Sequence, residues 1–121
     1  MNKAFKTLVW VSDSRERLCA FPEPVQHTMG YALFRAQEGK KHPDAKPLLG
    51  FKGAGVLEIV DDHDGDAYRA VYTVKLEGVV YVLHAFQKKS KRGMTTPKQE
   101  MDLVQSRLLL AHQIHKKGNT P

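Results

Sequence analysis

A cluster of positive charge follows an apolar run in the second half of the chain. Residues 79–86 are rich in the β-branched and aromatic side chains that favour strands. A basic segment comes directly after them, formed by Lys88, Lys89, Lys91 and Arg92. Like charges held this close together repel one another unless an anion neutralises them. The pattern predicts a central strand that presents the basic segment to a phosphodiester.

Arg69 lies in a second strand-like run, residues 68–74, where it is surrounded by apolar side chains. Successive side chains of a strand point to opposite faces, so Arg69 shares a face with Val71 and Thr73. Because a guanidinium is costly to bury unless it is paired, we expect Arg69 on an exposed face of the sheet. The alternative is a pair with Glu58 on the neighbouring strand.

The last strand divides its side chains between two faces in the same way. Strict alternation places one group together: Val80, Val82, His84, Phe86 and Lys88. The pairing register decides whether that face is open or covered, because a shift of one residue exchanges the two faces. The alternation therefore predicts which side chains share a face. It does not predict whether that face is open to solvent or covered.

The elements that would position these residues are predicted in the order strand, two helices, three strands and a last helix. The apolar runs predict four strands, at residues 6–11, 56–60, 68–74 and 79–88. An Asp-Gly pair, Asp64 and Gly65, predicts a hairpin between the second and the third. Helical spacing predicts three helices, at residues 14–19, 22–38 and 97–114, the last capped by Thr96.

This order of elements predicts an α+β fold in a single domain over residues 1–121, with a tail frayed from His115 onward. The three later strands form an antiparallel meander, and we expect the helices to pack on one face of a small antiparallel sheet. The other face would stay open to solvent or to a ligand.

The composition points to an anionic partner. The chain carries a formal net charge of +6, which favours nucleic acid over an acidic protein or a membrane surface. The alternative is a basic protein that is merely soluble.

Cys19 is the only cysteine, so no internal disulfide forms. The chain lacks the features of a signal peptide and any apolar run of about 20 residues, so we expect a cytoplasmic protein with no membrane contact.

Four segments together resemble the RelE/ParE toxin superfamily, and within it the phage-derived HigB-like branch. They read DAYRAVYTV at 66–74, VVYVLHAF at 79–86, KKSK at 88–91 and TPKQE at 96–100. The resemblance extends over residues 5–112. It implies a RelE-like fold and the toxin of a type II toxin-antitoxin system. The activity it implies is ribosome-dependent cleavage of mRNA, and the implied partners are mRNA, the ribosome and a helix-turn-helix antitoxin.

The resemblance also implies roles for single residues. Arg69 matches the strand arginine that contacts the scissile phosphate, and the basic segment matches the lysines after the last strand. Glu58 and Val60 stand where the best-known members have catalytic lysines, and Val60 also replaces an arginine of the HigB-like branch. A tyrosine that some members carry after the basic segment is missing. Catalysis would therefore be divided differently, and a protein that does not cleave is an alternative.

Cleavage of this kind needs no metal or cofactor, because RNA supplies its own nucleophile, the 2′-hydroxyl. Arg69 suits stabilisation of the phosphorane charge. Lys88 and Lys89 could share that role or protonate the leaving 5′-oxygen. His84 or Glu58 could accept the proton of the 2′-hydroxyl. For His84 the alternative is a strand histidine with a purely structural role.

Other cations are predicted to hold RNA backbone, without taking part in the reaction: Lys46, Lys52, Lys91 and Arg92. Two rival functions stay open beside mRNA cleavage. One is a ParE-type poison that acts on DNA gyrase by protein contact, for which a phosphate-binding cluster is unnecessary. The other is a phage-derived RNA-binding protein without catalysis.

Overall fold

A computed structural model describes residues 5–51, 53–88 and 97–118 of the chain. The strands are β1 (Thr7–Trp10), β2 (Ala45–Pro47), β3 (Val56–His63), β4 (Asp66–Thr73) and β5 (Val79–Lys88). The helices are α1 (Ser14–Cys19), α2 (Glu23–Gln37) and α3 (Lys98–Gly118). The predicted α+β class is confirmed. The predicted order of elements is also confirmed, with β2 as one addition.

The five strands form one mixed sheet in the order β1-β5-β4-β3-β2. The meander β3-β4-β5 is antiparallel as predicted, and Asp64 and Gly65 form its first turn, both with positive φ. β1 instead runs parallel to β5, so the prediction of a purely antiparallel sheet is wrong. Two parallel strands need a long connection between them. In this protein α1 and α2 are the first elements of the connection from β1 to β5.

Helices cover both faces of the sheet. On one face α2 packs its buried side chains against Ile59, Tyr72 and Val80. On the opposite face α3 packs Val104 and Ala111 against the sheet. The prediction that all helices lie on one face, with the other face open, is therefore wrong. The physical reason lies in β5. Its side chains are apolar on both faces of the sheet, so both faces must be shielded from water.

A β-bulge in β5 changes which side chains share a face. Val71 of β4 pairs with His84, whereas Tyr72 pairs with Val82, so Leu83 is an extra residue. Before the bulge Val82 packs on the α2 side, and after it His84 lies on the α3 side. The predicted grouping of Val80 and Val82 with His84, Phe86 and Lys88 is therefore wrong, because the extra residue shifts the alternation by one.

The two long helices bury the stripes that their spacing predicts. In α2 the stripe is Val25, Met29, Leu33 and Ala36, all buried. α3 continues past His115 to Gly118, residues 119–121 lie outside the described residues, and the predicted fraying of the tail stays a prediction. Within the described ranges, none of the helices combines the length and the hydropathy needed to cross a bilayer.

Candidate active site

One face of the sheet carries four of the residues predicted to act in catalysis. We call it the α3 face, because α3 packs on it. Residues paired across antiparallel strands point to the same side of a sheet. Three rows of such pairs follow one another, namely Lys46-Glu58-Val71-His84, then Val60-Arg69-Phe86, then Asp62-Ala67-Lys88. The register therefore brings Glu58, Arg69, His84 and Lys88 together on the α3 face, with Lys46 at its edge.

Glu58 and Arg69 form a buried ion pair on this face. Arg69 Nη1 donates to Glu58 Oε1 over 2.6 Å, and the two side chains are 7% and 5% exposed. The predicted exposure of Arg69 is therefore wrong, and the alternative, a pair with Glu58, is confirmed. Each of the two charged groups would be costly to bury without a partner. The charge-assisted hydrogen bond between them offsets that cost. The pair holds a permanent cation at a fixed place on the α3 face.

His84 has hydrogen bonds at both ring nitrogens. Arg107 Nη1 lies 2.9 Å from His84 Nδ1 and donates to it, since an arginine carries no acceptor. The proton of neutral His84 is therefore on Nε2, which donates to Glu100 Oε1 over 2.6 Å. Burial lowers the pKa of His84, against the opposing effect of Glu100, and so keeps the ring neutral. This arrangement fits the structural alternative for His84, and its predicted role as a base stays a prediction.

Arg107 links His84 to the start of α1. Besides His84, it donates to the carbonyl oxygen of Leu83 over 3.2 Å, and its Nη2 lies 2.8 Å from Asp13 Oδ1. The hydroxyl of Ser14 donates to the carbonyl oxygen of Val82, which holds this end of α1 on β5. A hydrogen bond from Arg17, together with the charge of Arg107, lowers the pKa of Asp13 against the effect of burial. We call Asp13, His84, Glu100 and Arg107 the His84 network.

The structure describes only some of the lysines that were predicted to act in the site. Lys88 ends β5 and is half-buried on the α3 face, and Lys46 is exposed on the edge strand β2. The remaining predicted cations and the predicted cap lie outside the described residues: Lys52, Lys89, Lys91, Arg92 and Thr96. Their roles stay predictions.

Sequence reasoning missed three members of the His84 network. Arg107 did carry a signal, because it lies between Val104 and Leu108 on the buried side of α3. A cation in such a position needs a partner, as Arg69 does. Glu100 was visible only as part of a family-like segment. For Asp13, nothing in the neighbouring sequence indicates that it meets a residue of α3.

The α3 face thus combines a guanidinium, two carboxylates, a neutral imidazole and a lysine. A fixed guanidinium can stabilise negative charge on a phosphate, because its planar donors match phosphate oxygens. A carboxylate can accept a proton, and an ammonium can donate one. The described residues therefore contain the groups that a metal-independent attack on a phosphodiester requires.

Comparisons with known proteins find a family model and solved structures that match this chain. A family model described as phage derived protein Gp49-like (DUF891) matches residues 16–109. Among solved structures, the RelBE2 toxin-antitoxin complex from Mycobacterium tuberculosis matches with 20% identity, covering 74% of this chain and 100% of that chain. The TM-score of this match is 0.48. A search among curated proteins finds no match.

Proposed function

The chain belongs to the phage-derived Gp49-like protein family (DUF891), and from that membership and the α3 face we propose that it is a RelE-like toxin that cleaves mRNA on the ribosome. The observation that carries the proposal is the buried Glu58–Arg69 pair beside Lys88. Glu58 fixes the guanidinium of Arg69 in place, and the planar donors of a guanidinium match the oxygens of a phosphate. The net charge of +6 supports an RNA target.

The reaction that fits these groups starts from the RNA itself. The 2′-oxygen loses its proton to a carboxylate of the α3 face and forms a bond to phosphorus. The bond between phosphorus and the 5′-oxygen then breaks, and that oxygen takes a proton from a lysine ammonium, that of Lys88 or Lys89. Arg69 stabilises the negative charge that builds up on the phosphorane oxygens. The products are a cyclic phosphate and a free 5′-hydroxyl.

His84 takes a supporting place in this scheme. Because Arg107 donates to Nδ1 and Glu100 accepts from Nε2, neither nitrogen offers a lone pair to substrate. We assign His84 to orienting its neighbours. The exposed Lys46 and the cations outside the described residues would contact the RNA backbone, which fixes position and carries no chemistry.

The proposed partners are translating ribosomes with their mRNA, and a cognate helix-turn-helix antitoxin that neutralises the toxin. Such a toxin would act in the cytoplasm. A small helix-turn-helix gene next to the gene of this protein would support the antitoxin partner.

The test is cleavage in a purified translation system. Wild-type protein is compared with the double variant Glu58→Gln/Arg69→Gln, which removes both charges together and so leaves no lone buried charge. We expect primer extension to show cuts within the translated frame, only when ribosomes are present, and their loss in the double variant. Intact mRNA with wild-type protein would refute the proposal. DNA breaks in expressing cells would then favour the gyrase poison.

A further inference from the structure

Two of the carboxylates on the α3 face, Glu58 and Glu100, are held in place by hydrogen bonds, and their surroundings differ. Glu58 is 5% exposed and is held by Arg69 at 2.6 Å. The side chain of Glu100 is 25% exposed and is held by a neutral donor, Nε2–H of His84. Protonation of Glu58 would break the ion pair with Arg69 and would leave that guanidinium buried without its counter-ion. Glu100 is held by a neutral donor and can take up a proton without that cost, so it is better suited than Glu58.

Glu100 is linked through His84 to the pair of strands that carries the cation Arg69. His84, which holds it, stacks on Phe86 with ring centroids 5.1 Å apart. Phe86 is in turn the direct cross-strand partner of Arg69. Since a step of two residues along a strand is about 7 Å, His84 lies one such step from the row of Arg69. Glu100 is therefore held, through His84, next to the row of Arg69 on the α3 face.

The rest of the His84 network fixes the orientation of Glu100. Arg107 donates to Nδ1 of His84, which keeps the imidazole proton on Nε2 and directed at Glu100 Oε1. Asp13 contacts Arg107 from the start of α1. Three elements thus hold one carboxylate at the partly exposed margin of a buried face, where preorganised geometry contributes directly to the rate.

We propose that Glu100 is the catalytic residue that accepts the proton of the attacking 2′-hydroxyl, with His84 as its positioning residue. This inference rests on the proposed function and names the base which that function requires. The proton moves from O2′ to a carboxylate oxygen of Glu100 as the O2′–P bond forms. The P–O5′ bond breaks, and O5′ is protonated by the ammonium of Lys88. No other reactant is needed.

The first test is Glu100→Gln. The amide oxygen of glutamine still accepts the hydrogen bond from His84, but the amide cannot take up a proton. We expect the rate of ribosome-dependent cleavage to fall by about 100-fold or more, with the melting temperature and the ribosome affinity unchanged. The matched control is Asp102→Asn on the same helix, an exposed carboxylate paired with Lys98, and it should cleave like wild type.

The second test separates basicity from structure. Glu100→Ala should be inactive and should regain activity in added formate, because a small carboxylate can occupy the space and accept the proton. Formate should not accelerate the wild-type protein. A Glu100→Gln variant that cleaves within about threefold of wild type would overturn the inference, since general-base catalysis contributes at least about 100-fold. Loss of activity without rescue by formate would also overturn it and would leave Glu100 a structural role. If wild-type protein itself does not cleave, the proposed function fails, and the inference fails with it.

Discussion

His84 is a titratable group held neutral inside the protein, and this has a consequence for stability. Burial lowers its pKa from the ordinary value of 6.5, and Arg107 beside it acts in the same direction. Below pH 6.5 the unfolded chain binds a proton at His84, whereas the folded chain does not. The free energy of unfolding should therefore fall as the pH drops from 6.5 toward the lowered pKa of the folded state, by at most about 1.4 kcal/mol per pH unit.

Urea unfolding between about pH 8 and about pH 5 measures this slope. The variant His84→Gln should lose the part of the slope that comes from this group. The matched control is His112→Gln, which replaces an exposed histidine of α3. Equal slopes for wild type and His84→Gln would show that His84 does not carry the pH dependence. Asp13 does not interfere, because its lowered pKa places its contribution below pH 3.8.

At the scale of helices and strands, Arg107 connects α3 to two other elements, β5 and α1. Its guanidinium contacts β5 through Leu83 and His84, and α1 through Asp13. Hydrogen bonds made by charged groups contribute about 1.5–3 kcal/mol each, and their loss leaves buried acceptors unsatisfied. We expect Arg107→Ala to lower the free energy of unfolding by about 3 kcal/mol and to speed amide exchange in α3.

Denaturant titration gives the first quantity, and hydrogen exchange resolved by peptide gives the second. The control is Lys98→Ala, which removes an ion pair with Asp102 at the other end of the same helix. Both partners are exposed there, so the change should stay within about 0.5 kcal/mol. If Arg107→Ala proves as mild as Lys98→Ala, Arg107 does not fasten α3.

Most helices and strands could be predicted from the sequence, because their signals are local. The stripe of Val25, Met29 and Leu33 in α2 follows helical spacing and is buried. The bulge at Leu83 could not be predicted, since no glycine or other local feature marks it and only pairing with β4 reveals it. β2 was missed for a similar reason. Its three residues include Pro47 and show no alternation, and they become a strand only by pairing with β3.

Some contacts of the candidate site could likewise be predicted from the sequence, and others could not. Glu58 and Arg69 were recognised as possible partners because they lie on adjacent strands of one hairpin, where register is nearly fixed by the turn. The meeting of Asp13, Arg107 and His84 depends on how α1 and α3 pack on the sheet. Such packing is set by the fit of whole apolar faces, which single-sequence patterns do not encode.

At the scale of the whole molecule, the proposed binding of RNA should draw on the net charge of +6 through the α3 face. Lys46 is exposed at the edge of that face, in the row of Glu58 and His84. Lys40 is also exposed, but it follows α2, which packs on the opposite face. Each phosphate contact that a cation makes releases a counterion and steepens the dependence of affinity on salt.

The comparison of Lys46→Gln with Lys40→Gln therefore tests which face contacts RNA. Both variants lose one charge, so their net charges are equal and any general effect of charge cancels. We expect the slope of log affinity against log salt to become shallower by about 0.7 for Lys46→Gln with single-stranded RNA, and to stay at the wild-type value for Lys40→Gln. Fluorescence anisotropy across a salt series gives both slopes. Equal slopes for the two variants would mean that RNA binding follows total charge, and a change confined to Lys40→Gln would place the RNA on the α2 side.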